Sequence, residues 1–448
     1  MKTKTPICDF VRHYNESKTT RMHMPGHKGS GILGVEPLDI TEISGADSLY
    51  EADGIIQESE EIASTLFGAH TFYSTEGSSQ CIRAMLYLAL LKARNEKKPP
   101  LVWAARNAHK TFLSDVALLD MDVEWLYGND KTSYLSCTLC PTELEEALKS
   151  ADILPSALYL TSPDYLGNIT DISGIAKVCH RYGVLLLVDC AHGAYLKFLE
   201  TSLYPTDLGA DMCCSSAHKT LPVLTGGAYL HISKRADASL VEAAKNSLAL
   251  FGSTSPSYLI LQSLDAANAY LAGDCRKNLS RTVERLDELK KRLALHGYQL
   301  VGNEPFKITL ATKSFGYTGI DFASHLRESG IECEFADHDF VVLMPSTDVG
   351  TEELAHLETV ATSLVKKEAI SLAPPIPVRA ERVMRVREAL LSPAETVLVS
   401  ESVGRILASP SVSCPPAVPV VVCGERIDKA AVRAFTYYGI DSCRVVKE

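Results

Sequence analysis

The spacing of apolar positions changes along the chain, and each change predicts an element. From Glu58 to Leu66 and from Ser79 to Lys92 they recur three and four apart, the period of an amphipathic helix, and the turn TEGSS opens the second stretch. Short runs then read as strands: PLVWAA, VEWLYG, ALYLTSP, VLLLVD and MCCSSAH, separated by helical or polar sequence. Strands alternating with helices predict an α/β domain with a largely parallel sheet. Near-continuous apolar runs such as residues 184–188 are what a sheet covered on both faces requires. Function in such a sheet is expected at the carboxyl ends of the strands.

The remaining sequence is organised around this domain. Residues 1–60 carry the turn signals Pro25, Gly26, Gly29, Gly31, Gly34 and Pro37 and predict an extended arm with short helices. After Gly252 the pattern is helical through about Leu295, and RTVERLDELKKRLALHG has the charge spacing of a solvated face. Residues 299–366 predict a smaller α/β unit, with strands near FKITLAT and DFVVLMPS and helices near DFASHLRESG and TEELAHLETVATSLVKK. The APPIP stretch, Ala373 to Pro377, marks a boundary. Beyond it the tail predicts a helix, a proline-punctuated apolar strand at PPAVPVVVCGE, and a final helix and strand. The expected division is an arm over 1–60, a large domain over 61–298, a small α/β domain over 299–372 and a C-terminal domain over 378–448.

Composition narrows the partners. A net charge of −11 disfavours nucleic acid, whose phosphates need a basic face. No apolar run reaches the roughly 18 residues of a membrane helix, and no apolar core precedes Asp9, so a cytoplasmic protein without a membrane partner is expected. The 13 cysteines are spread from Cys8 to Cys443, as reduced thiols are. The pair Cys137 and Cys140 lacks a second pair at zinc-binding spacing, so no metal is expected.

The candidate chemistry centres on Lys219 in SSAHKTLPVLTGG, which follows by 30 residues the strand ending in Asp189. A lysine amine can hold the aldehyde of pyridoxal phosphate as a Schiff base, and a carboxylate at a strand end can keep the pyridine nitrogen protonated. Gly77, Ser78 and Ser79 open a predicted helix, where amides and the dipole receive a phosphate; an ordinary serine cap is the plainer reading. His109 follows PLVWAA, placed for a flat imidazole to stack on a ring, although a surface or core histidine fits as well. His192 and His218 flank the two central residues.

HMPGHKG at 23–29, DITEISGADSL at 39–49, RNAHKT, DCAHGAYLKF at 189–198, SSAHKTLPVLTGGAYLH at 215–231 and the C-terminal PPAVPVVVCGE together resemble the Orn/Lys/Arg decarboxylase family. The resemblance runs nearly end to end. It implies the aspartate aminotransferase-like fold (fold type I), pyridoxal 5'-phosphate as cofactor, and decarboxylation of arginine, lysine or ornithine to CO2 and a polyamine-pathway amine. By position it makes Lys219 the Schiff-base lysine, Asp189 the partner of the pyridine nitrogen, His109 the stacking ring and His192 a support. Gly77, Ser78, Ser79, Ser216 and His218 are expected at the phosphate, with Ser253 or Thr254 reaching it from a second subunit of a homodimer or larger homo-oligomer. GIECEFAD resembles the family's GI-x-x-E-x-x-D stretch, so Glu334 and Asp337 are expected to face the substrate's distal cation, with Asp47 or Glu51 as alternatives. Cys190 stands where the family commonly has an acid, Glu76 where asparagine is usual, and LTGGA replaces LTQGA. The length leaves no room for the receiver-like N-terminal wing of long members, so the short form is expected. An aminotransferase, an aldolase-type enzyme or a non-catalytic cofactor-binding protein are the alternatives.

Overall fold

The structure is a computed structural model that describes residues 3–128, 133–410 and 418–448. Its strands are β1 (Ala69–Ser74), β2 (Leu101–Ala105), β3 (Asp122–Leu126), β4 (Ala157–Thr161), β5 (Leu185–Asp189), β6 (Met212–Ser215), β7 (Ala228–Ser233), β8 (Gln299–Val301), β9 (Ile308–Ala311), β10 (Phe335–Ala336), β11 (Phe340–Leu343), β12 (Ala394–Leu398) and β13 (Ser442–Val446). Two compact units can be described, one from residues 1–97 and 185–279, the other from residues 98–184 and 280–448.

In the first unit the strand order is β1-β7-β6-β5. β5 and β6 run parallel, whereas β7 is antiparallel to both of its neighbours. Every residue of β5 and β7 is buried, the signature of strands covered on two faces. The helix Gly77–Asn95 buries ten positions spread around its circumference, too many for a single apolar stripe, so it lies inside the unit rather than on its surface.

Polar groups tie the arm to this unit. Lys245 Nζ donates to Glu60 Oε1 at 2.6 Å and to the carbonyl of Leu49 at 2.6 Å, and the same carboxylate accepts the Tyr73 amide at 2.9 Å. Burial raises the Glu60 carboxyl pKa and Lys245 opposes that shift. Asp265 accepts the Cys8 amide at 2.9 Å and the Ser59 hydroxyl at 2.6 Å, pinning the helix Pro6–Glu16. Such buried charges are hydrogen-bonded because an unmet one costs several kcal/mol, on the order of the 3–5 seen when a buried pair is broken.

The second unit holds the parallel strands β4-β2-β3, the antiparallel sheet β10-β11-β9-β8 and the ribbon β12-β13. The runs FKITLAT and DFVVLMPS supply β9 and β11, and the helices expected beside them span Gly319–Glu328 and Thr351–Ser363. The strand expected at PPAVPVVVCGE is not formed within its described part. Pro415, Pro416 and Ala417 lie outside the described residues, and residues 418–425 make only an isolated bridge, Glu425 with Arg382. The physical reason is visible. Pro419 has no amide to give a ladder, and Arg106, itself buried, donates to the carbonyls of Pro419 and Val420 at 2.7 and 2.9 Å. Side-chain donors satisfy this buried backbone instead of a neighbouring strand. Among the described residues no helix is long and apolar enough to cross a membrane.

His231 on β7 is fully buried among Phe67, Tyr204 and Tyr229, with ring centroids 4.5, 5.3 and 5.5 Å away. Its Nδ1 lies 2.9 Å from the Thr71 hydroxyl, and Nε2 has no partner among the described residues. Burial, with a smaller push from Lys197, lowers its pKa to about 3. An unfolded histidine titrates near 6.5, so between about pH 6.5 and 3 the unfolded chain holds a proton that the folded chain refuses. Stability therefore falls as pH drops through that window, by about 1.4 kcal/mol per pH unit from this group. We expect His231→Leu to flatten the pH dependence of urea-unfolding midpoints between pH 6.5 and 4 by one proton; an unchanged slope would show that another group carries it.

Candidate active site

The register of β5 with β6 places Asp189 beside Cys214, so both chains leave the pair at the same edge. Asp189 is 3% exposed; its Oδ1 accepts the Ala191 amide at 3.1 Å and the Cys214 thiol at 3.6 Å. The carboxylate and burial together push the Cys214 thiol well above its ordinary pKa, with burial the larger cause. The two exits are then joined: Cys190 N–H donates to the Cys214 carbonyl at 2.9 Å and Ser216 N–H to the Ala191 carbonyl at 3.3 Å. One turn further, in the short helix Ala217–Thr220, Lys219 Nζ stands 2.8 Å from His192 Nε2. His192 is 6% exposed, and Lys219 is half-buried.

Two serines meet beside this pair. Ser216 Oγ donates to Ser78 Oγ at 2.9 Å, and Ser78 is the second residue of the helix Gly77–Asn95. Gly77 takes φ +73° and donates its amide to the Gly226 carbonyl at 2.7 Å, a left-handed entry that glycine adopts without a Cβ penalty. A Cβ there would meet nothing within 4 Å, so the helix start is open. His218 is oriented by its Nδ1, 3.0 Å from the Gly227 carbonyl. Glu76 is exposed and accepts the Ser253 amide; Ser253 and Thr254 are exposed as well. The first unit thus brings together Lys219, His192, Asp189, Ser78 and Ser216, with Ser79 adjacent on the helix and His218 beside Lys219.

His109, in the second unit, caps the helix Lys110–Leu118 just after β2. Its Nδ1 accepts the Thr111 amide at 3.2 Å and lies 2.9 Å from the Thr111 hydroxyl, which assigns the ring proton to Nε2. Glu334 and Asp337 sit on the β10–β11 hairpin in different states. Glu334 is exposed and accepts the Tyr165 hydroxyl at 3.2 Å. Asp337 Oδ1 accepts the amides of Asp339 and Phe340, both at 2.7 Å, closing the hairpin turn. Desolvation raises the Asp337 carboxyl to about 6, against those two amides. Of the alternatives, Asp47 accepts the amides of Ser48, Asp53, Gly54, Ile56 and Gln57 and so caps the helix Ile55–Phe67, while Glu51 is exposed. Sequence reasoning missed Tyr165. Its position just past the carboxyl end of β4 was the available signal.

The mixed α/β fold is the fold type I architecture, and a lysine, a histidine and a buried carboxylate are gathered at its strand ends. The fold is shared over 99% of the chain with lysine decarboxylase of Francisella novicida (TM-score 0.82, 16% identity, 81% of that chain covered) and with the constitutive lysine decarboxylase of E. coli (0.80, 17%, 82%). Residues 5–303 match the family described as Orn/Lys/Arg decarboxylase, major domain. The chain is 30% identical to an arginine decarboxylase of Halalkalibacterium halodurans, with 95% of this chain and 92% of the relative covered. It is 27% identical to arginine decarboxylase of Bacillus subtilis over 98% and 94%. The chain belongs to the Orn/Lys/Arg decarboxylase family and is a decarboxylase.

Because Asp337 serves the turn through one oxygen, Asp337→Asn keeps an acceptor and Asp337→Ala does not. We expect Asp337→Ala to destabilise by about 1–3 kcal/mol and Asp337→Asn by less, read from denaturant midpoints. Equal losses would mean the carboxylate charge, not the turn bonds, holds the hairpin.

Proposed function

We propose that the protein decarboxylates a basic amino acid, with arginine first in order because relatives along nearly its full length are arginine decarboxylases. One proton is taken up at Cα, CO2 leaves, and the amine product is agmatine, cadaverine or putrescine according to whether arginine, lysine or ornithine is bound. The observation that carries this reading is Lys219 Nζ, 2.8 Å from His192, on the same strand edge as the buried Asp189.

The donor set fits pyridoxal 5'-phosphate. When bound, the cofactor supplies an aldehyde that captures amino groups and a pyridinium that accepts the electron pair released with CO2. Lys219 would hold the aldehyde, and His192, 2.8 Å away, is placed to hold or return a proton at Lys219 Nζ. Asp189 keeps the ring-nitrogen proton in place, since a buried carboxylate stabilises a nearby cation. Ser78, Ser79, Ser216, His218 and the open helix start at Gly77 would receive the phosphate. By family resemblance His109 would stack on the ring, and Glu334 with Asp337 would face the distal ammonium or guanidinium.

Incubation with a panel of amino acids, with CO2 and amine identified, tests the reaction; a keto acid product would mean transamination. Borohydride should fix the cofactor to the peptide containing Lys219, and Lys219→Ala should abolish both the yellow colour and turnover. Asp189→Asn should retain cofactor but lose at least tenfold in kcat. A label on another lysine, or normal turnover in the Asp189 variant, would sink the assignment.

We further propose that a homodimer completes the phosphate site through Ser253 or Thr254. Mixing an inactive Lys219→Ala chain with an inactive Ser253→Ala/Thr254→Ala chain should restore part of the activity in the hybrid. A fully active monomer by sedimentation would rule this out.

A further inference from the structure

We propose that Tyr165 is a positioning residue for substrate specificity: it aims the Glu334 carboxylate, and the loop carrying Tyr165 is built rigid for that purpose. The inference rests on the reading of Glu334 as the group that meets the substrate's distal cation.

The loop leaves the carboxyl end of β4 and is closed by its own side chain. Asp164, 3% exposed, accepts the Asn168 amide at 2.8 Å and the Asn168 side-chain amide at 2.9 Å. The backbone adds Asp164 N–H to the Asn168 carbonyl at 2.9 Å and Gly167 N–H to the Asp164 carbonyl at 3.1 Å. This ring of bonds is then anchored to the segment before and within β9. Lys307 Nζ donates to the Asp164 carbonyl at 2.7 Å, the Thr309 hydroxyl to the Leu166 carbonyl at 2.9 Å, and the amides of Asn303 and Glu304 to the Gly167 carbonyl at 2.9 Å each. Gly167 takes φ +90°, with the Lys307 and Glu304 side chains 3.4 and 3.5 Å from where a Cβ would sit. A loop this heavily bonded presents its one outward aromatic residue in a fixed place.

That residue is Tyr165. Its ring lies 5.8 Å from Lys307 Nζ and meets the Phe335 ring edge-on at 5.2 Å and 86°. Lys307 is 3% exposed, so its charge acts on the ring through little water. A cation on the face draws electron density from the phenol and strengthens its hydroxyl as a donor. The acceptor is Glu334 Oε1 at 3.2 Å. Glu334 is otherwise an exposed glutamate whose backbone is fixed by its amide on the Val342 carbonyl at 3.0 Å. Without the tyrosine, the side chain is free to explore its rotamers, and binding a cation must order it. A held carboxylate acts equally in the ground state and the transition state, so its loss reads out in KM rather than kcat.

The experiment compares wild type, Tyr165→Phe, Glu334→Gln and the double variant, each as cofactor-loaded enzyme. Substrates are the preferred basic amino acid and an uncharged analogue of similar length, norleucine or citrulline. Tyr165→Phe removes a single oxygen and keeps the ring over Lys307, so folding and the cofactor absorbance should be unchanged. Its KM for the basic amino acid should rise about fivefold with kcat within twofold, and its kinetics with the analogue should be unaltered. In the Glu334→Gln background the tyrosine change should add nothing. Additive effects in the double variant, or equal loss with the analogue, would overturn the inference while leaving Glu334 in place. Unaltered kinetics in Glu334→Gln would instead remove Glu334 from cation recognition and the inference with it.

Discussion

The parallel pairing of β5 with β6 is the constraint on which the candidate site depends. Leu187, Val188 and Asp189 lie opposite Met212, Cys213 and Cys214, so the carboxylate that ends β5 is paired with a buried thiol one residue before the end of β6. Apolar residues before them fix the strands by burial, and the chain's polarity begins where the strands stop. The two exit loops are bonded to each other by the Cys190 and Ser216 amides, which leaves His192 and Lys219 no freedom to separate widely. The 2.8 Å contact between them is made by residues carried just past this paired strand edge. A one-residue slip would turn Asp189 to the other face and undo the arrangement.

Burial of polar groups in the first unit follows the same economy. Glu60, Lys245, Asp265 and Asn268 are placed where an arm, a helix and a strand meet, and each is bonded to backbone or side-chain atoms of another segment. A buried pair of this kind adds little net stability, but breaking it is costly, so it discriminates the native packing from near alternatives. His231 differs. With Nε2 unpartnered among aromatic rings it stays neutral, and its presence makes the packed state sensitive to acid.

Much of this was legible in the sequence because buried parallel strands leave continuous apolar runs, and VLLLVD and MCCSSAH mark β5 and β6 directly. Lys219 and Asp189 could be picked out because one follows and the other ends such a run. What was not legible was set by distant partners. PPAVPVVVCGE has the β-branched content of a strand, yet the donors that satisfy its carbonyls come from Arg106, 313 residues away. β7 carries a histidine in mid-strand, which reads as polar until Thr71 and three aromatic rings enclose it. Tyr165 and Glu334 are 169 residues apart, and no local pattern couples them.

Two carboxylates three residues apart on one hairpin show how the same side-chain chemistry divides. Asp337 spends Oδ1 on two backbone amides, and its desolvation raises the carboxyl to about 6, so much of its charge is already committed to the turn. Glu334 is exposed, and the hydroxyl that reaches it orients the carboxylate without neutralising it. Of the two, Glu334 is the carboxylate not already bonded to the turn's backbone amides. Asp337 then contributes at one remove: by fixing the turn it fixes the strand pairing of Phe335 with Val342, and with it the backbone from which Glu334 projects.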